Sequence, residues 1–484
     1  MIDTQAIRKK ILDLALRGKL TEQLPEDGTA EELYQQVLEA KAHFELTSNE
    51  RKSKPLPDIT DEGLPFIIPI SWKWVHLGEI FAHNTGKALN ISDTTGRLLE
   101  YITTSNVYWD RFELTSLKTM YFKDDEIDKC TIKKGDLLVC EGGDIGRSAI
   151  WVFDREMRIQ NHIHRLRRYN DSICTKFYYY VMQHYKMNNL IRGQGIGLEG
   201  FSSKRLHSLV VPYPPIAEQL RIVGIVDLAF ETLKQIDTLQ SQYQDNLTAL
   251  KSKIINAGIQ GKLTEQLPED GTAEELYQQI QQEKLALEKA GKIKKSKPLP
   301  PISDEEKPFD IPDNWKWVRW GDIVNIVSAR RVHQSDWENN GIPFYRAREI
   351  AKLAETGYVD NDLFISEELY NEYAESGVPR YGDLMVSAVG TLGKTYVVQP
   401  DDKFYYKDAS VLCFENYGKV SPYYLSYLMR SQLMKKQIES NSGGTTVDTL
   451  TMVRMVQYIL PLPPLAEQKR IVARLEELLA VCGG

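Results

Sequence analysis

Residues Gly18 to Gln36 read GKLTEQLPEDGTAEELYQQ, and the same 19 residues recur unchanged at Gly261 to Gln279. The likeness runs on through Lys52-Ser53-Lys54-Pro55-Leu56-Pro57 and Lys295-Ser296-Lys297-Pro298-Leu299-Pro300, then Trp72-Lys73-Trp74-Val75 and Trp315-Lys316-Trp317-Val318. The offset of 243 positions is far too long for a solenoid repeat, so the chain is a duplicated half. Past each Trp-Lys-Trp the halves diverge and then meet weakly. Lys134-Gly135-Asp136-Leu137-Leu138 answers Tyr381-Gly382-Asp383-Leu384-Met385, and Gly143-Asp144-Ile145-Gly146-Arg147 answers Gly390-Thr391-Leu392-Gly393-Lys394. Identity returns at Pro214-Pro215-Ile216-Ala217-Glu218-Gln219 and Pro463-Pro464-Leu465-Ala466-Glu467-Gln468. Each half is therefore a near-constant frame around a variable insert of about 140 residues.

The frame contains one long helix. From Pro214 to Gln260 no further proline occurs, and apolar residues recur every seven: Ile222, Ala229, Ile236, Tyr243, Leu250, Ala257, with Val226, Leu233, Leu247 and Ile254 four places on and Gln240 the one interruption. That is the seam of a helix packed on another helix, roughly 65 Å long at about 1.5 Å per residue. The frame is circular. The C-terminal segment from Pro464 stops at half this length, while Met1–Arg17 aligns with Gln244–Gln260, Ile7 on Leu250 and Ile11 on Ile254. The two terminal helices together predict the second member of an antiparallel pair.

The expected order is a terminal helix (1–20), a helix and proline-rich linker (21–71), a first insert (72–213), the long helix (214–261), a second linker (262–314), a second insert (315–462) and a distal helix (463–484). Thr29 and Thr272 read as N-caps, each with Glu three residues on, for helices over Ala30–Ala42 and Ala273–Lys289. The inserts read as mixed α/β. Strands are expected at Asp136–Cys140, Ser148–Phe153, Asp383–Val389 and Thr395–Gln399, and helices at Thr175–Asn188 and Pro422–Ser440. The fold class is thus two pseudosymmetric α/β domains separated by a long antiparallel coiled-coil helix pair.

The net charge of −7 argues against a nucleic-acid partner, but it is uneven. Residues 71–205 hold 20 Lys+Arg against 16 Asp+Glu, and residues 315–454 hold 16 against 18. No apolar run approaches 18 residues, and the N-terminus lacks a basic-then-apolar signal. The five cysteines include no CxxC pair, which suits free thiols in a reducing cytoplasm.

Catalytic motifs fail on inspection. Gly390-Thr391-Leu392-Gly393-Lys394-Thr395 resembles a P-loop, but that motif needs glycine where Ala388 stands; a turn between strands fits better. Asn161-His162-Ile163-His164 puts two histidines on one face of a strand, yet the second half reads Lys407-Asp408-Ala409-Ser410 there, so polar strand residues facing solvent or a polyanion fit better than a metal pair. The Pro-Pro pairs precede helix starts, not an aromatic that would clamp a base. No catalytic set, cofactor site or metal site recurs between the halves.

What recurs is polar, basic and glycine-rich turn residues at matching places. Thr103, Thr104, Ser105 and Asn106 stand where Tyr345, Arg346 and Arg348 fall in the other half, with Tyr101 matched to Phe344. Arg147 matches Lys394, and Gln194 and Gly195 match Gly443, Gly444 and Thr445. Such residues reach phosphates and base edges while glycine admits close backbone approach, making these fourteen the candidate DNA-binding set.

The paired P-P-[IL]-A-E-Q and G-K-L-T frames around two dissimilar inserts resemble the specificity subunit of type I restriction-modification systems, over essentially the whole chain. The resemblance implies two target recognition domains, each reading one half of a split duplex sequence. It also implies a non-catalytic role beside two modification subunits that methylate adenine N6 and restriction subunits that cleave, in the cytoplasm. Reading heads about 50–70 Å apart would address half-sites one to two helical turns apart, each turn about 34–36 Å. The short C-terminal helix is a departure. The competing readings are a coiled-coil scaffold with two protein-binding heads, and a self-contained enzyme, for which no repeated catalytic set is found.

Overall fold

The computed structural model describes residues 1–48, 55–62, 64–90, 92–191, 201–374, 377–440 and 449–483. It divides into two compact units, Met1–Ser241 and Gln242–Gly484, whose boundary falls inside one continuous helix, Ile216–Ile259. At 44 residues this helix is about 66 Å long.

In the first unit the N-terminal helix (Thr4–Leu16) runs antiparallel to the long helix. Ile2 N–H donates to Gln240 Oε1 (2.5 Å), Arg8 reaches Asp237 (3.0 Å), and Leu12, Ala15 and Leu16 share a core with Ile222, Val223 and Val226. In the second unit the C-terminal helix (Leu465–Val481) lies antiparallel in the same way, with Ile471, Leu475 and Leu479 against Ile255 and Ile259. The expected Ile222, Val226, Leu233, Ile471 and Leu475 are buried, while elsewhere the seam widens by one position: Leu12, Ala15 and Leu16 are buried with Ile11 packed partly against them, and Ile255 and Ile259 are buried with Ile254 packed partly against them. Gly258 sits on this contact. A Cβ there would lie 3.1 Å from Leu475, so the helices approach closely at this point; the buried Ala15 holds the matching place in the other unit. The helical middle also departs from the expectation. Of the expected seam residues, Tyr243 (63%) and Leu250 (47%) are exposed.

Each insert leaves and re-enters its frame through one two-stranded pair. Lys73–His76 pairs antiparallel with Val210–Tyr213, and Lys316–Arg319 pairs with Ile459–Leu462. Inside, each unit holds an antiparallel four-stranded sheet of one topology. The order is Phe81–Thr85, Ile163–Arg168, Leu137–Cys140, Ser148–Ile150 in the first, and Val324–Val327, Val411–Asn416, Leu384–Ser387, Thr395–Val397 in the second. A second sheet is built on a parallel pair, Arg97–Ile102 with Met157–Ile159, or Ile342–Tyr345 with Tyr405–Tyr406. The expected strands are present but shorter, and the expected helix Pro422–Ser440 is two, Pro422–Met429 and Gln432–Ser440. Asn256 of the long helix accepts the Gln432 N–H (2.9 Å), so a tertiary contact supplies the second start. Thr272 closes a capping box with Glu275, whereas Thr29 makes no side-chain cap bond despite the same sequence.

The identical frame residues converge on one carboxylate per unit. Glu218, 1% exposed, accepts from Trp72 Nε1 (2.7 Å), Thr21 Oγ1 (2.9 Å) and Gln23 Nε2 (2.7 Å). Glu467, 0% exposed, accepts from Trp315 (2.8 Å), Thr264 (2.9 Å) and Gln266 (2.8 Å). Beside them the buried Gln219 and Gln468 amides tie the helix start to the insert, accepting from Cys174 N–H and Ser421 N–H (both 2.8 Å). Arg221 and Arg470 clasp Asp27 and Asp270 of the Leu-Pro-Glu-Asp turns. Gly18 (φ +62°) and Gly261 (φ +72°) admit only glycine, since a Cβ would stand 2.3 and 2.5 Å from Pro69 and Pro312.

Glu218→Ala strands the buried Trp72 indole N–H and removes the acceptor shared by Thr21 and Gln23, and is expected to cost about 2–3 kcal/mol in urea unfolding of the full chain. A loss below about 1 kcal/mol would contradict the central role given to this carboxylate.

Candidate nucleic-acid interface

The second sheet fixes where the variable elements emerge. In both units the parallel pair is in the same register, Ile159 opposite Ile102 and Tyr406 opposite Tyr345, followed by a matching bond, Gln160 N–H to Ile102 O (3.0 Å) or Lys407 N–H to Tyr345 O (2.8 Å). The chain then turns on an equivalent anchor. Thr103 N–H donates to the buried Asn106 Oδ1 (2.9 Å), and Arg346 N–H donates to the buried Glu349 Oε2 (2.9 Å). The alignment of Tyr101 on Phe344 is thus reproduced in three dimensions. From this point the units differ. The first makes a short 3-10 turn, Thr104–Asn106, and a hairpin of Val107–Tyr108 and Arg111–Phe112; the second makes a ten-residue helix, Ala347–Thr356, stopped by Gly357 at φ +68°.

A glycine turn lies beside each anchor. Gly146 N–H donates to Cys140 O (3.0 Å) with Gly146 at φ +80°, and Gly393 N–H to Ser387 O (2.9 Å) with Gly393 at φ +74°. A strand, not a helix, follows Lys394, so the turn lacks the helix N-terminus on which a P-loop holds phosphate. The same turn receives the returning chain, through Phe201 N–H to Glu141 O (2.8 Å) and Leu450 N–H to Ala388 O (2.9 Å). Gln194, Gly195, Gly443, Gly444 and Thr445 lie outside the described residues.

The remaining candidates fall into two groups, one in each unit. In the first, Arg147 Nη2 donates to Thr104 O (2.7 Å) and its guanidinium stands 5.2 Å from the Tyr108 ring, which Arg111 also covers at 4.8 Å. Thr103 and Asn106 are buried and hold the turn; only Ser105 is exposed, its hydroxyl 2.7 Å from that of Thr103. In the second, Arg346 and Arg348 both bond Glu349 and Asp362, Lys394 reaches Glu355 (3.2 Å), and Tyr345 packs on Phe404 (4.8 Å between rings). Burial raises the Glu349 carboxyl, but the two arginines outweigh it and hold it below the usual range. Tyr108, Arg111, Lys352 and Asp362 were not among the sequence candidates. Asp362 is fourteen residues from its partner Arg348, beyond the reach of local spacing.

The two histidines of the Asn161–His164 segment do not act together. His162 is exposed and 3.4 Å from Glu141, whereas His164 is fully buried, not solvent- or DNA-facing as expected. Its Nδ1 lies 3.0 Å from His83 Nε2 and its Nε2 lies 2.8 Å from Phe201 O, so each neutral ring has a place in one chain of hydrogen bonds. Burial, then the neighbouring His164 and His207, push His83 down to about 3, and burial lowers His164. No group of three His, Cys, Asp or Glu among the described residues could hold a metal. All five cysteines are free, and burial pushes the Cys130 and Cys140 thiols up to about 11. No described helix is long and apolar enough to cross a membrane.

The family model described as "Type I restriction modification DNA specificity domain" matches residues 69–243 and 312–482. The EcoAI specificity subunit of a type I restriction enzyme from Escherichia coli is 28% identical, spanning 98% of this chain and 89% of that protein. The EcoEI specificity subunit from the same organism is 26% identical over the same shares. Among solved structures, a chain from a study of assembly and conformational transition in the type I restriction-modification system covers 87% of this chain and 93% of its own, at 18% identity and TM-score 0.60. The HsdS subunit from Thermoanaerobacter tengcongensis covers 88% and 93%, at 18% identity and TM-score 0.50.

Asn106→Ala leaves the Thr103 N–H unpaired and is expected to cost about 1–2 kcal/mol, while Ser105→Ala costs less than about 0.5 kcal/mol; chemical denaturation compares them. Equal costs would dissolve the distinction between anchor and surface. Because His83 and His164 are held neutral, the unfolded chain binds more protons as pH falls below its histidine pKa of about 6.5. Stability should therefore decline from about pH 6.5 downward, and His83→Gln should flatten that slope in denaturation curves taken across pH.

Proposed function

Because the chain belongs to the type I restriction-modification DNA specificity family, we propose that its two inserts read the two halves of one bipartite duplex target. The frames carry them and provide the docking surface for modification subunits. The chain is a specificity subunit, the DNA-recognition component of a restriction-modification complex, with target recognition domains at about 72–213 and 315–462. One observation supports the finer reading above others: sheets of one topology and equivalent anchors present a hairpin in one unit and a helix in the other. Elements of different shape and charge at the same topological point read different base sequences, so the target is asymmetric.

Thr104, Ser105 and Arg147 are the contacts proposed for the first half, with Thr103 and Asn106 holding the turn that carries them. Tyr345, Arg346, Arg348 and Lys394 serve the second half, and Gln194, Gly195, Gly443, Gly444 and Thr445 complete the set. Two modification subunits supply the methyl donor and adenine N6 chemistry, and restriction subunits join them to cleave unmodified DNA. The complex acts in the cytoplasm. Its affinity should fall steeply with salt, as phosphate contacts release counterions.

Single-molecule sequencing of host DNA with and without the gene is expected to show N6-methyladenine in a two-part motif that vanishes on deletion. Replacing residues 72–213 with the insert of a relative should change one half of the motif only. An unchanged methylome, or both halves changing together, would refute this assignment.

A further inference from the structure

Within the second unit, Arg348 shares both acid partners with Arg346 but is the more exposed of the two, at 63% against 26%. Its Nε bonds Glu349, a carboxylate only 3% exposed, which also accepts the Arg346 backbone N–H (2.9 Å) and so cannot swing away from the helix start. Its Nη2 points outward to Asp362, at 2.9 Å from Oδ1 and 2.8 Å from Oδ2. Side chains of Arg348 and Asp362 are 63% and 67% exposed. One end of the guanidinium is therefore buttressed by a buried acid while the other is occupied by an acid that water and ligands can reach. Arg346 reaches the same Asp362 (2.8 Å), which the arginines hold below the usual carboxylate range.

The neighbourhood suits a base edge better than a phosphate. Arg348, Lys352 and Glu355, the last paired with Lys394, rim a cleft of about 460 Å³ whose wall is Ala347, Ala351, Val389, Gly390 and Thr391, mostly small or apolar groups that allow close approach and leave room for a base substituent. A fixed guanidinium edge beside a small apolar wall is what guanine O6 and N7 and an adjacent thymine methyl require. A phosphate contact needs neither buttress nor wall.

Resting on the specificity-subunit reading, we propose that Arg348 reads a base edge in the second half-site, that Glu349 orients it, and that Asp362 occupies its outer edge until duplex DNA displaces it. Asp362 then acts as an internal competitor. Non-cognate DNA, which offers Arg348 no matching acceptors, fails to repay the exchange. Cognate DNA repays it.

The test uses the full chain assembled with its modification subunits. In methylomes of cells carrying Arg348→Ala, one base position in one half of the motif should relax, its discrimination falling about tenfold to a hundredfold, with the other half intact. Arg348→Lys, which lacks the planar fork, should relax the same position. Asp362→Asn should tighten binding to a random-sequence 40-base-pair duplex several-fold, and admit methylated sites that differ from the motif at that position. Melting by circular dichroism checks that each variant folds. Uniform weakening on all duplexes by Arg348→Ala, with the motif unchanged, would make it a backbone contact and overturn the proposal, as would an Asp362→Asn complex with unaltered non-cognate affinity. A wild-type complex that methylates nothing would instead sink the specificity-subunit reading itself.

Discussion

A carboxylate removed from water costs several kcal/mol unless its oxygens find donors, and Glu218 and Glu467 find theirs only when three separate stretches of chain come together. The indole N–H comes from the entry to the insert, the hydroxyl and amide from the Leu-Thr-Glu-Gln turn, and the acid itself from the first turn of a frame helix. These are the stretches that repeat almost letter for letter. No cation takes part in the triad of donors, so its geometry is set by direction and distance and tolerates little substitution. Gly18 and Gly261 belong to the same constraint, since the proline that packs on them lies three residues before the tryptophan. The frame is rigid because a buried charge makes any looser arrangement expensive.

That rigidity is what allows the inserts to vary. The insert departs from its frame at Trp72 or Trp315 and returns through a strand paired directly to its own first strand, so its two ends are fixed side by side whatever lies between. Within it the antiparallel sheet and the parallel pair are also held constant. Much of the variation lies in the segment beyond Ile102 or Tyr345, and elsewhere one helix, Thr175–Met187, stands against two, Pro422–Met429 and Gln432–Ser440. Asn106 and Glu349 show how this is done chemically. Each accepts the backbone N–H three residues earlier, so a neutral amide and a charged carboxylate perform the same anchoring, and the choice between them sets the charge presented nearby. Glu349 can gather two arginines; Asn106 gathers none.

Much of the frame was legible because it is repeated. Identity at a fixed offset located the duplication and the antiparallel terminal helices without any propensity argument. Periodicity alone was less exact. The heptad count placed Ile254 and Ala257 in the seam; Ile254 packs partly against the core, but Ile255 and Ile259 are the more deeply buried, on either side of Gly258, where a Cβ would lie 3.1 Å from Leu475. Heptads also continue through Tyr243 and Leu250, which are exposed: apolar spacing states what a helix can cover, not what covers it. The break at Arg430-Ser431 was invisible for a related reason, as the group that restarts the helix, Asn256, is far away in sequence.

The candidate contacts divide along the same line. Thr104, Ser105 and Asn106 do form a turn, while Tyr345 ends a strand and Arg348 lies in the first turn of a helix, and location does not separate anchors from free groups. Thr103 and Asn106 read identically to Ser105 in sequence, and burial alone tells them apart. His164 looked like a surface ligand because alternation placed it with His162, yet the end of the insert folds over it and Phe201 O takes its Nε2. For Arg346 and Arg348 the limit is different: spacing could not supply the pair of acids that orients them. Glu349 is adjacent but reads as an ordinary helix residue, and Asp362 arrives from beyond the helix. A basic residue in a recognition loop is thus half of a description. Its discrimination depends on what holds the guanidinium when no DNA is present, and that information lies in tertiary contacts.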